Sequence, residues 1–150
     1  MKCLTIWNPW AAAIVLGGKD VENRPWRAPA AFEGRRFFVH VGKQYQRDAV
    51  GPAGGWSGPA IHGLPLAEVR GAVIGSVELV GCTPAEDCQL DWCMRLPGGW
   101  AWLLKHPRVF RKPVPMRGAL GLFEPTYRMG EGVPAALEAA EAEAMTPEAW

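Results

Sequence analysis

The sequence predicts a mostly β, barrel-like α+β domain with short helices attached. Three observations carry that expectation. Five or six short stretches have strand character, and glycine and proline punctuate them. The first helical stretch is brief, with both of its ends written in. Strands and helices do not alternate as a βαβ repeat would require. At 150 residues, with 49% hydrophobic content and eight tryptophans, the chain suits one domain with a packed core.

The elements follow in order. In Trp7-Asn8-Pro9-Trp10, Asn8 is a good N-cap and Pro9 suits the first helical position. About two turns of helix are expected to run to Leu16, where Gly17-Gly18 stop it. Past the glycines, Lys19 opens an extended segment in which Glu22, Arg24 and Trp26 share one face. Pro25 confines that strand to a sheet edge, exposed to a groove. In the next strand Phe37, Val39 and Val41 form one apolar face, Phe38 and His40 the other, with Lys43 just beyond. Residues 51–65, rich in glycine and proline, form a loop. Along 71–81, Val73, Gly75, Val77 and Leu79 alternate with Ile74, Ser76, Glu78 and Val80. Thr83-Pro84-Ala85-Glu86 has the spacing of a capping box and predicts a helix over 84–95. Strands over 100–104, 109–116 and 120–123 complete the barrel, and a helix is expected over 134–145.

Several classes are disfavoured. No apolar run reaches the ~20 residues of a membrane span, so no membrane partner is expected. The N-terminal stretch lacks a signal-peptide core and cleavage site, which places the protein in the cytoplasm. Cys3, Cys82, Cys88 and Cys93 match no zinc or disulfide framework and read as free thiols, so neither metal nor cofactor is expected. No Walker loop, GxGxxG, HExxH or GxSxG occurs. The net charge of +1 divides unevenly: residues 1–123 carry +6 and residues 124–150 carry −5. A basic body suggests a polyanionic partner, and the acidic tail could cover the basic groove as a mimic of that partner.

The charged segment after the first helix is the main candidate for chemistry. Lys19 and Arg24 could meet phosphate or a polar substrate, with Glu22 aligning Lys19 or accepting protons; a solvated edge with a weak ion pair is the bland alternative. Trp26, beside Arg24 and Arg27, and Trp56, in the glycine loop, are the tryptophans expected at the surface, where aromatic faces stack on unpaired bases. His40 reads either as a groove residue or as a satisfied half-buried histidine. Glu78 either faces solvent or a groove, and Asp87 and Asp91 sit by default on an exposed helix face.

The stretch CLTIWNPWAAAIVLGGKDVENRPW resembles the ASCH domain family, with its Leu-Ser/Thr-Ile, Gln-Pro-Trp-Ala and Gly-x-Lys-x-x-Glu-x-Arg-x-Trp patterns. The resemblance continues through FFVHVGK, GAVIGSVELVGC, WAWLL and PVPMRGALGLF, over nearly all of residues 3–123. It implies a PUA-like, partly open β-barrel over 1–125, with 126–150 an acidic tail that is helical or disordered. It also implies binding of RNA or single-stranded DNA in a groove beside the first helix. That groove would be lined by Lys19, Glu22 and Arg24, with Trp26, Arg27, His40, Lys43 and Trp56 as further nucleic-acid contacts. The sequence sets no oligomeric state.

Two departures matter. Asn8 stands where the family commonly has Gln. A small ASCH-like amidohydrolase of acetylated cytidine uses a Lys, a Thr three residues later and a distant Glu, whereas here Glu22 holds the Thr position. The alternative to nucleic-acid binding is therefore hydrolysis of a modified nucleoside or of RNA with Lys19 and Glu22 as the acid–base pair. Burial would have to lower the Lys19 pKa for that role, while Glu22 would raise it.

Overall fold

The computed structural model describes residues 1–52 and 59–150. Its strands are β1 (Lys2–Asn8), β2 (Val21–Arg24), β3 (Arg35–Tyr45), β4 (Ala72–Pro84), β5 (Trp100–Pro115) and β6 (Leu122–Phe123). Helix α1 spans Trp10–Leu16 and α2 spans Val133–Ala142. All six strands join one sheet in the order β2-β5-β4-β3-β1-β6. Only β1 and β3 run parallel; the remaining pairs are antiparallel. The sheet curls but does not close, so the fold is a partly open barrel.

Each face of the sheet has its own core and its own helix. Inside the curl, Leu4, Ile6, Phe37, Val39, Ile74, Val77 and Trp102 pack with Ile14 and Val15 of α1. Full burial of each large apolar side chain contributes about 1.5–3 kcal/mol, so this cluster dominates the fold. On the other face, Cys3, Phe38, Val73 and Phe110 receive Val133 and Leu137 of α2. Burial pushes the Cys3 thiol up to about 12, which leaves it inert. No helix among the described residues is long and apolar enough to cross a membrane.

Four expectations change. Residues 2–8 form a strand that the periodicity did not announce; β1 is read through its parallel pairing with β3, Leu4 opposite Val39 and Ile6 opposite Val41. The two expected strands at 100–104 and 109–116 are one continuous β5. In β4, irregular pairing between Val73 and Gly75 shifts the phase, so Ile74 joins Val77 and Leu79 inside while Val73 faces α2. A Cβ on Gly75 would lie 2.1 Å from the Arg108 carbonyl oxygen, so only glycine fits there.

The helix expected over 84–95 is absent. Strand β4 continues through Thr83 and Pro84, which pair with Ala101 and Trp100, and only a 3-10 turn over Ala85–Asp87 follows. Ladder pairing uses the residues the capping box needed. Ala85, Cys88 and Cys93 then fold inward onto Val21 and Ala101.

Candidate functional site

Local sequence sets up the site from the N-terminal side. Helix α1 begins at Trp10 with Pro9, not Asn8, in the N-cap position, one residue later than expected. Asn8 ends β1, and from there its Oδ1 still accepts the Ala12 N–H of the first turn at 2.9 Å. Its Nδ2 donates to the carbonyls of Leu66 and Val69. At the other end Gly18 takes φ +77°, and the Lys19 N–H returns to the Ala13 carbonyl at 3.0 Å. This reversal turns the chain back under α1 and drives Lys19 inward.

Lys19 is 4% exposed. Its ammonium donates to the Val21 carbonyl, lies 3.4 Å from Glu22 Oε1, and sits 5.6 Å from the Trp10 ring centroid. Burial lowers its pKa below the ordinary lysine value, and the neighbouring Glu22 carboxylate opposes that shift without cancelling it. Glu22 Oε2 receives Arg24 at 3.0 Å, and Arg24 Nη2 donates to the Thr5 carbonyl at 2.7 Å. Arg24 thus spans from the β2 edge to β1, two strands that are not neighbours in the sheet. The Arg24 guanidinium bridges the open seam of the barrel.

A cleft of about 640 Å³ opens at that seam. Lys19, Glu22 and Arg24 line it together with Trp7, Trp10, Trp92, Asp48 and Asp91. A second cavity of about 300 Å³, with Pro25, Met94, Leu96 and Trp100 in its wall, adjoins it across Asn23 and Arg24. The first cleft holds two basic side chains and three carboxylates.

The structure brings Lys19, Glu22 and Arg24 together and separates the other candidates from them. Trp26 does not line the cleft: its ring meets Trp102 edge-on at 4.7 Å, and its carbonyl accepts the Trp102 indole N–H. A core partner below Trp26 outweighs the strand alternation that would have shared a face with Arg24. Arg27 is exposed, its guanidinium 5.4 Å from the Trp100 centroid. Lys43 is exposed at the far end of β3 and is not in the cleft wall. His40 is 2% exposed and points away from the inner core, between Thr5 Oγ1 at 3.0 Å and the Met116 carbonyl at 2.9 Å. Burial lowers its pKa, so it is a neutral, satisfied histidine rather than a groove residue. Trp56 lies outside the described residues.

Glu78 accepts from the exposed His106 at 2.8 Å and takes no part in the cleft. The acidic tail does not cover the cleft either; α2 packs on the opposite face, where Glu141 meets Arg36 and Arg108. Reading the sequence missed Trp92, Asp48 and Asn23 and left Asp91 on an exposed helix face; all four are in the cleft wall. For Trp92 and Asp91 the misleading signal was the capping box, which assigned them to a helix. Among the described residues, no cluster of His, Cys, Asp or Glu is arranged to hold a metal.

A partly open barrel with a charged cleft beside its first helix defines a class, and sequence comparison gives the family. The ASCH domain model matches residues 4–113, and the chain belongs to the ASCH domain family. Among solved structures, a ZmASCH mutant from Zymomonas mobilis aligns at 16% identity and a TM-score of 0.51, covering 96% of this chain and 98% of that one. ASCH from the same organism aligns at 16% identity and a TM-score of 0.48, covering 97% and 96% of the two chains. At that identity the first likeness shows the fold alone. Comparison with curated proteins finds no match.

Proposed function

We propose that the cleft binds a nucleoside-like small molecule and hydrolyses an acyl group from its base, with Lys19 and Glu22 as the proton-transfer pair. The observation that carries this reading is the burial of Lys19 in the wall of a cleft. A lysine that grips a phosphate backbone works as an exposed point charge. A lysine whose amine is reached at lower pH, because burial lowers its pKa, suits proton transfer. The charge of the cleft agrees, since its carboxylates outnumber its basic groups and would repel a polyanion. Residues 53–58, which lie beside it in sequence, carry no charge.

In this mechanism Lys19 acts from its deprotonated form, which burial makes easier to reach. The amine takes a proton from a water molecule, and the resulting hydroxide adds to the acyl carbonyl carbon. The C–N bond then breaks, and the proton passes from Lys19 to the leaving exocyclic nitrogen. The products are a carboxylic acid and the free amine. Glu22 Oε1 completes the pair by stabilising the protonated Lys19 between the two steps, and its Oε2 holds Arg24 in register. Trp7, 44% exposed, offers an aromatic face for the base at the rim.

Binding of RNA or single-stranded DNA is the second reading, and the exposed Arg27 beside the half-buried Trp100 ring supports it. One experiment separates the two. N-acetylated cytidine is incubated with wild type and Lys19→Met, and labelled single-stranded RNA and DNA are titrated at two salt concentrations. Turnover that disappears in the mutant supports the hydrolase. Micromolar, salt-steep binding without turnover transfers the conclusion to nucleic-acid binding, and a cleaved RNA probe transfers it to a ribonuclease.

A further inference from the structure

Between Glu22 and Arg24 on β2 stands Asn23, and the alternation of a strand turns its side chain to the opposite face. There it meets the irregular segment 88–95, which carries Trp92, Cys93 and Met94 into the cleft wall. Asn23 Nδ2 donates to the Trp92 carbonyl at 3.2 Å, and Asn23 Oδ1 accepts the Met94 N–H at 3.0 Å. Because a carbonyl needs a donor and an N–H needs an acceptor, only this orientation of the carboxamide satisfies both. The two bonds bracket Cys93, whose thiol meets the Ala85 carbonyl at 3.4 Å. Segment 88–95 forms no strand ladder, so these side-chain bonds join the packing of Cys88 and Cys93 on Val21 and Ala101 in holding it to the sheet edge.

The position of the clamp matters more than its strength. Trp92 wedges between the α1-side cluster around Ala12 and Leu64 and the cluster around Val21 and Ala101. Asn23 and Met94 border both the charged cleft and the adjoining cavity. A segment that shifts outward here would move the Trp92 wall and merge the two spaces. It would leave the Lys19–Glu22–Arg24 contacts in place, because Glu22 and Arg24 alternate to the other face of β2.

We infer that Asn23 is a positioning residue that sets nucleoside affinity by fixing the Trp92 wall; this rests on the cleft being a nucleoside site. Its side-chain hydrogen bonds go to Trp92 and Met94 and not to Lys19 or Glu22, so its effect belongs in KM rather than kcat. The test uses the full chain with Asn23→Ala and Asn23→Asp, N-acetylated cytidine as substrate, and hydrogen exchange at the Met94 amide. In Asn23→Ala, KM rises ~10-fold with kcat within about twofold, the scale of one lost hydrogen-bond pair, and the Met94 amide exchanges faster. Asn23→Asp keeps the acceptor for Met94 but sets a carboxylate oxygen against the Trp92 carbonyl, so its KM rises as well while kcat is kept.

An Asn23→Ala enzyme with wild-type KM overturns the inference, and so does one that loses kcat at unchanged KM. Should Asn23→Ala fail to fold, Asn23→Asp decides alone: raised KM with kept kcat supports the clamp, and unchanged KM sinks it. A wild type that neither binds nor turns over the substrate removes the nucleoside site itself, and the inference with it. That outcome is distinct from an active wild type beside an indifferent variant.

Discussion

Among the described residues, two places hold one glutamate between two cations, and they are built for different ends. At the barrel seam, Glu22 gives one oxygen to Lys19 and the other to Arg24. On the outer face, Glu141 of α2 receives Ser76 at 2.8 Å, Arg108 at 3.0 Å and Arg36 at 3.7 Å on a single oxygen. Its second oxygen is buried without a partner among the described residues. The seam cluster is the more buried, with Lys19 and Glu22 side chains 2% and 8% exposed, against 48% for Arg108. It also opens into a cleft, whereas Glu141 fastens a helix to a sheet. A carboxylate between two cations is therefore not by itself a site. The lysine, its burial and the space in front of it make the difference.

The largest expected contrast is in activity. Lys19→Met should reduce turnover by roughly 10²–10⁴-fold, the usual contribution of a proton-transfer group. The same change should leave the melting temperature unchanged or raised, because it removes a buried cation while Glu22 keeps its contacts with Arg24. Activity assays beside thermal melts check both. An inactive variant that also melts much earlier would make Lys19 a structural residue like Arg108, and the distinction between the clusters would fail.

Breaking the pair from its other side should show the reverse balance. Glu22→Gln strands the buried Lys19 ammonium, and removal of one partner from a buried pair costs about 3–5 kcal/mol. Denaturant unfolding measures this directly. A loss below about 1 kcal/mol would mean that solvent reaches Lys19 and that the seam pair is an ordinary surface contact.

How much of this contrast the sequence disclosed depends on what each residue needs from distant chain. The capped α1, the glycine reversal and the Lys19-Glu22-Arg24 order are local, and spacing alone revealed them. The fate of Trp26 depended on Trp102, which lies in another strand, and His40 depended on Met116 and Thr5. Strand β1 hid because its burial on both faces comes from partners rather than from its own period. Trp92 and Asn23 were invisible for the same reason: their roles exist only once the segment around residue 90 folds against the edge of β2.

The two clusters should also differ under alkali. The folded-state pKa of Lys19 lies below the unfolded value of 10.5, so in the window between them the unfolded chain binds more protons. Stability conferred by this residue therefore rises with pH across that window and is lost as pH falls through the folded value. Subtracting the Lys19→Met curve from wild type should isolate a positive slope on the approach to pH 10.5. A flat difference would place the ammonium in water. The outer cluster sets Arg36, Arg108 and Ser76 on Glu141 and includes no lysine, so Glu141→Gln should leave the slope that belongs to Lys19 intact.

The smallest effect is expected at that glutamine. It keeps an acceptor for Ser76 in place of Glu141 Oε1, and its amide replaces an oxygen that already lacks a partner. What disappears is a charge facing Arg108, which is half exposed, and Arg36, which retains Ser76 and the His106 carbonyl. Partly exposed pairs of this kind contribute up to about 1 kcal/mol. For a chain of 150 residues that is a fall of about 2–4 °C in melting temperature, with turnover unchanged. Apolar packing of Val133 and Leu137 on Phe38 and Phe110 remains to hold the helix. A variant that melted normally but lost activity would reverse this ranking: α2 would then act on the cleft across the sheet, and the outer cluster would be part of the working site.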